Sequence, residues 1–109
     1  MQQTEKITGS TSILAAGPLA RFRFANFLGT QATAGQAVLG VPAAAFDIGE
    51  TAGVSTSGEI LVEAGAAYAA GVELESDATG RAILRTTGAF AGRARDAASA
   101  AGVVVRVSR

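Results

Sequence analysis

Short runs of β-forming residues punctuated by glycine fill the last third of this chain, and they leave room for little but a small β-rich fold. Ala70-Gly71-Val72-Glu73-Leu74 is followed by Ser76-Asp77-Ala78-Thr79-Gly80-Arg81-Ala82 and then by Gly92-Arg93-Ala94. Asp77 and Gly80 bracket a tight turn, because an aspartate side chain bonds backbone groups ahead of it and glycine accepts a positive φ. The spacing predicts a hairpin over 72–84. Gly102 then precedes Val103-Val104-Val105-Arg106-Val107, whose β-branched side chains fit a pleated surface better than a helix. A strand is expected there.

Earlier in the chain the clearest core strand is 19–28, where Arg21-Phe22-Arg23-Phe24 alternates charge and aromatic with period two. Phe22 and Phe24 are expected to face inward. Phe27 breaks that phase, which points to a bulge, a bend or two-sided burial near Ala25-Asn26. A second short strand is expected over 35–41, stopping at Pro42. The stretch 43–46 reads as a short helix or a loop. Residues 54–62 read as a strand or hairpin, with Gly58 as the natural pivot after Ser57. Segment 94–101 fits a strand followed by a tight loop, or a helical turn capped by Gly102. The strand is preferred, because seven or eight residues carry little intrinsic helix stability.

Residues 1–12 are polar around a single large apolar side chain, Ile7, and read as a flexible N-terminal arm, free or ordered on a neighbouring subunit. Residues 13–109 are then one β-rich domain, a small barrel or sandwich of short strands with at most one or two helical turns. Its core is thin. Hydrophobic residues make up 49% of the 109, but many are alanines, each of which buries little apolar area. Such a domain is a candidate for stabilisation by subunit contacts, and a homo-oligomer is expected.

The chemistry excluded is extensive. Cysteine and histidine are both absent, which removes disulfides, thiolates, the commonest general base and the usual nitrogen ligand for transition metals. Glu73, Glu75 and Asp77 alternate on one strand face, but solvated carboxylates at that spacing do not make an acid–base pair. Asp47 and Glu50 lack the twelve-residue pattern of a dedicated calcium loop, and Gly49-Glu50-Thr51-Ala52-Gly53 lacks the lysine of a phosphate cradle. No catalytic, cofactor-binding or metal-binding residue is assigned, and no enzyme activity is expected. No apolar run approaches the roughly 20 residues of a membrane span, and the N-terminus has no secretory pattern, so a soluble protein is expected.

Net charge is zero but unevenly distributed. Asp47, Glu50, Glu59, Glu63, Glu73, Glu75 and Asp77 make the middle acidic, whereas Arg81, Arg85, Arg93, Arg95, Arg106 and Arg109 make the end basic. Pairing across strands within one subunit is the plainer expectation, and complementarity between subunits the sharper one. No dense basic run interleaves with aromatics, so nucleic acid is not an expected partner.

From Ala69 to Val107 the order of turn, strand and valine-rich end resembles small tailed-phage capsid decoration proteins, also called cement or head-stabilising proteins. Arg95 stands where their pattern has an apolar residue. The resemblance implies a structural virion protein, made in the host cytoplasm, that binds the outer surface of the mature capsid and ties neighbouring coat subunits together. The major capsid protein is then the partner, with a homo-oligomer, a trimer before a dimer. It also implies contacts through the terminal extension, which makes Ile7 a candidate contact residue; the exposed Arg21 and Arg23 edge supplies the other candidates. A phage tail or neck component and a β-rich surface-binding module are the alternatives. The second is disfavoured by a single tyrosine, Tyr68, and no tryptophan.

Overall fold

The computed structural model describes residues 4–109, in which seven strands form one connected, mostly antiparallel sheet. In chain order they are β1 (Lys6–Leu14), β2 (Val41–Pro42), β3 (Thr51–Glu63), β4 (Glu73–Ser76), β5 (Ala82–Leu84), β6 (Gly92–Ala94) and β7 (Val104–Ser108). The pairing order is β1-β3-β7-β6-β4-β5, with β2 beside β3. The sheet does not close on itself: β1 and β5 are its edges. No helix occurs among the described residues, so the mostly β expectation stands and segment 94–101 is the strand-and-loop form.

β3 is the organising element. Along one edge it pairs with β1, from Lys6 opposite Glu59 to Leu14 opposite Thr51, and along the other with β2 and β7. The hairpin pivot expected at Gly58 is therefore a correction: the strand runs straight through it. Gly58 lies opposite Ile7 and exchanges backbone hydrogen bonds with Arg109, both 3.0 Å. Its φ of 116° and the closeness of the Lys6 carbonyl leave no room for a Cβ. Glycine here permits a bulge between two paired edges rather than a reversal of the chain.

From Lys6 onward, the polar segment expected to be a flexible arm is strand β1, hydrogen-bonded along β3. Its side chains are mostly exposed on both faces, which is why the sequence shows no alternation there. The rest of that segment, residues 1–3, lies outside the described residues.

The expected strand over 19–28 is not formed. Phe22 has a φ of 70° and sits in a turn, where the Arg23 N–H donates to the Ala20 carbonyl. Phe24 is fully buried, but Phe22 is only half-buried. The period-two pattern does not carry into the structure: burial rises from exposed Arg21 through half-buried Phe22 and Arg23 to Phe24. Over 35–41 only Val41 joins a strand, because Gly40 is occupied with Ala25 outside any ladder. Segment 43–46 is a loop whose Phe46 forms a two-bond bridge with Leu19.

The 72–84 hairpin forms as expected. The Asp77 Oδ1 accepts the N–H groups of Thr79 and Arg81, both at 2.8 Å, and Gly80 has a φ of 80°. The alanine-rich segments meet each other, with Tyr68 and Ala98 exchanging backbone bonds of 3.1 and 3.0 Å. The main core gathers Phe24, Ile60, Val62, Leu74, Val105 and Val107 with six alanines, and a smaller one holds Leu19 and Val54. So many methyl-sized side chains keep the core as thin as the composition implies.

Candidate functional site

The carboxylates and arginines that divide the chain into an acidic middle and a basic end pair across neighbouring strands. Glu73 on β4 takes Arg85 at 2.8 Å and Arg93 at 3.4 Å. Glu59 on β3 takes Arg95 at 2.8 Å and Arg106 at 3.7 Å. Arg95, the departure from the decoration-protein pattern, is thereby an outward-facing partner of Glu59, while Ala94 supplies the buried side of β6.

Glu75, expected to be solvated, is instead buried among the loop that follows β5. Its carboxylate accepts the Thr86 N–H and hydroxyl and the Gly88 N–H. The Thr86 backbone bond above all holds its pKa below the ordinary carboxylate value, against the opposing effect of desolvation. It acts as the staple of a loop. Burial pushes Asp77 up, but the N–H donors of Arg81 and Thr79 outweigh this and leave it lowered. The acidic triplet is thus divided among an ion-pair hub, a loop staple and a turn, and offers no acid–base pair. Among the described residues no group of three or more carboxylates is placed to hold a metal ion, and no helix is long and apolar enough to cross a membrane.

Of the three residues singled out from the sequence, two come together and one does not. Ile7 and Arg21 line a cleft of about 230 Å3 beside β1, with Glu5, Phe22, Pro42 and Leu61 among its other walls. The Arg21 guanidinium lies over the Phe22 ring at 4.6 Å from its centroid and 3.5 Å from the Glu5 carboxylate. Stacking on the ring and a single, half-exposed ion pair hold it loosely, so most of its donors remain free for a partner. Ile7 is 41% exposed at the same cleft.

Arg23 is built inward. Its guanidinium meets Glu63 at 3.3 Å and donates to the Thr79 carbonyl at 2.9 Å, tying the 20–24 turn to β3 and the hairpin. It is a structural clamp. Sequence reasoning missed Glu5 and Phe22 as the residues that seat Arg21. The adjacency of Arg21 to an aromatic was a visible signal for the second, but nothing local announced the first.

Lys6–Leu14 carries backbone groups on an edge no other strand of the sheet covers, and an exposed edge is a ready template for another chain. No curated protein and no solved structure matches the chain. A family model described as phage cement protein, however, matches residues 2–109, nearly the whole sequence. The chain therefore belongs to the phage cement protein family, whose members are structural and stabilise the capsid.

Proposed function

We propose that this protein binds the outer surface of the mature phage capsid and cements neighbouring coat subunits, with the edge of β1 and the Ile7–Arg21 cleft as its contact face. The family match over 2–109 carries the reading. The structure supports it through an apolar side chain and an underused guanidinium set side by side on an uncovered edge. An interface needs such a combination: apolar area for affinity, and a directional charged donor for register.

The mechanism is linkage. A ligand that binds one state of a shell and not another stabilises the bound state by mass action, so a cement selective for the expanded shell opposes its disassembly. The thin core favours assembly as a homo-oligomer, a trimer or a dimer, which multiplies the contacts each attachment makes. Synthesis occurs in the host cytoplasm, and the destination is the virion.

The deciding experiment measures the solution mass of the purified protein and its co-sedimentation with expanded and unexpanded phage shells. A trimer or dimer that pellets with expanded shells alone is the expected result. A species that ignores both overturns the proposal, and a ring of six or more subunits in solution moves the assignment to a tail or neck component.

A further inference from the structure

Seven large apolar side chains stand exposed among the described residues, and four of them, Leu14, Phe27, Leu28 and Ile48, belong to segments that meet at the end of β1. Each is between 62% and 74% exposed. The Ala16 N–H donates to the Gly29 carbonyl at 2.9 Å, the Ala15 N–H to the Glu50 carbonyl at 2.8 Å, and the Gly49 N–H back to Ala15 at 2.8 Å. Two turn tips, 27–29 and 48–50, therefore flank residues 14–16. A gathering of exposed apolar groups of this kind marks an interaction site.

Neither tip is loose. Buried Asn26 accepts the N–H groups of Leu28 and Thr30 at 2.9 and 3.0 Å, and its amide donates to the Thr30 hydroxyl and the Gln36 side-chain Oε1. The other turn closes with the Glu50 N–H on the Asp47 carbonyl at 3.1 Å and the Asp47 N–H on the Glu50 carboxylate at 2.6 Å. Side chains displayed on turns this well fixed lose little backbone freedom on docking.

Charge identifies the occupant. Glu5, Glu59, Glu63, Glu73, Asp77 and Asp96 each have an arginine within 4.0 Å, and Glu75 has its loop. Asp47 and Glu50 face no cation among the described residues. They rim a cleft of about 250 Å3 whose remaining walls are Pro18, Leu19, Ala45 and Phe46. Apolar walls with two carboxylates at the rim suit the aliphatic stem and cationic head of a lysine or arginine.

A second copy of this chain is a poor source of that cation. A two-fold contact brings Asp47 and Glu50 toward their own equivalents, and like charges juxtaposed across an interface are costly. Six of the arginines are tied into ion pairs within the fold, and Arg109 is held largely buried on the Val38 carbonyl at 3.0 Å. That leaves Arg21 and Lys6, both at the opposite end of β1 on the face assigned to the shell, so a head-to-tail contact between copies, as in a trimer, would cover that face.

We infer that this apolar, acid-rimmed end is a second docking face, and that it seats on an apolar patch of a coat subunit which inserts a lysine or arginine side chain between Asp47 and Glu50. The inference rests on the capsid-binding reading above and supplies what cementing requires. Nine residues of β1 span roughly 30 Å, so a subunit holding one coat protein near Ile7 and another near Leu14 bridges the two.

The test compares wild-type protein with Leu28→Ser/Ile48→Ser and with Asp47→Asn/Glu50→Gln in co-sedimentation with purified expanded shells over a series of salt concentrations. Circular dichroism melts and solution mass are recorded for each. Both variants keep the wild-type fold and mass; the apolar one loses about thirtyfold in affinity, as the loss of a buried anchor does. The neutralised one binds more weakly at low salt, and its affinity falls less steeply as salt rises. Wild-type binding of shells with both variants unimpaired overturns the inference and leaves the capsid reading intact. A variant whose solution mass falls overturns it in favour of a self-interface. Wild-type protein that fails to bind shells overturns the capsid reading and this inference with it.

Discussion

The Arg106 guanidinium grips the Asp96 carboxylate with two side-chain hydrogen bonds, Nε to Oδ2 at 2.8 Å and Nη2 to Oδ1 at 2.9 Å, while the Arg106 N–H donates to Oδ2 at 3.2 Å. The pair joins β7 to the turn after β6. Together with the Arg95–Glu59 pair at 2.8 Å it fixes where the chain bends after Ala94.

That geometry sets an acid response. The Arg106 side-chain bond holds the Asp96 pKa below its ordinary value, and Glu75 and Asp77 are lowered too. A carboxylate whose pKa is lower in the folded than in the unfolded chain contributes stability that is complete above the unfolded value, about 4, and is lost as pH falls through the folded one. Thermal midpoints should therefore hold from neutrality to about pH 5 and decline below it. Asp96→Asn should start lower and decline less. Melting curves of the two proteins at stepped pH check this, and parallel declines would remove Asp96 from the explanation.

At the alkaline end the reporter is Tyr68, the only tyrosine in a chain without tryptophan. Burial first, and the nearby Asp96 charge second, push its phenol up to about 12. A pKa raised in the folded state means stability present below the unfolded value, about 10, and lost as pH climbs to the folded one; two pKa steps amount to about 3 kcal/mol. Phenolate absorbance in an alkaline titration should thus appear near pH 12 or jump with unfolding. A smooth titration centred on 10 in folded protein would contradict the burial of this side chain.

Gly58→Ala should cost about 2–4 kcal/mol, combining the left-handed backbone of a residue bearing a Cβ with the collision against the Lys6 carbonyl. The denaturant midpoint measures it. A variant as stable as the parent would mean that β1 shifts off β3 at little cost.

Ile7→Ser and Arg21→Ser should each reduce attachment to expanded shells by about tenfold or more while leaving the melting temperature near wild type, because both side chains are substantially exposed. Arg23→Ser should do the reverse, lowering stability through the lost Glu63 and Thr79 contacts and sparing attachment. Pelleting assays and melts on the three variants separate the two roles.

The legible parts of the fold were those governed by local turn chemistry. Asp77 and Gly80 specify their hairpin within a few residues, and the valine run of β7 states its own conformation. β1 was not legible, because a strand exposed on both faces leaves no period-two trace and owes its form to β3, far along the chain. Arg21-Phe22-Arg23-Phe24 misled in the opposite sense, since its alternation of charge and aromatic falls on a turn with Phe22 at positive φ and not on a strand. Ile7 was singled out through the polar terminal segment and Arg21 through its expected exposure, and their meeting in one cleft is a product of tertiary pairing. Phe27 did signal itself by breaking phase; it points outward because Asn26 locks the loop beneath it.

β3 finds its partners half a chain length away in both directions, in β1 and in β7. Pairings so distant in sequence make for slow folding, since the loops must close before any contact rewards them. The walls of the Ile7–Arg21 cleft come from these same separated pieces, with Ser55 and Leu61 from β3, Ile7 from β1 and Val41 from β2. The cleft is assembled only when the sheet is. An incompletely folded subunit consequently lacks the proposed contact face, and only copies that have completed these long-range pairings carry it.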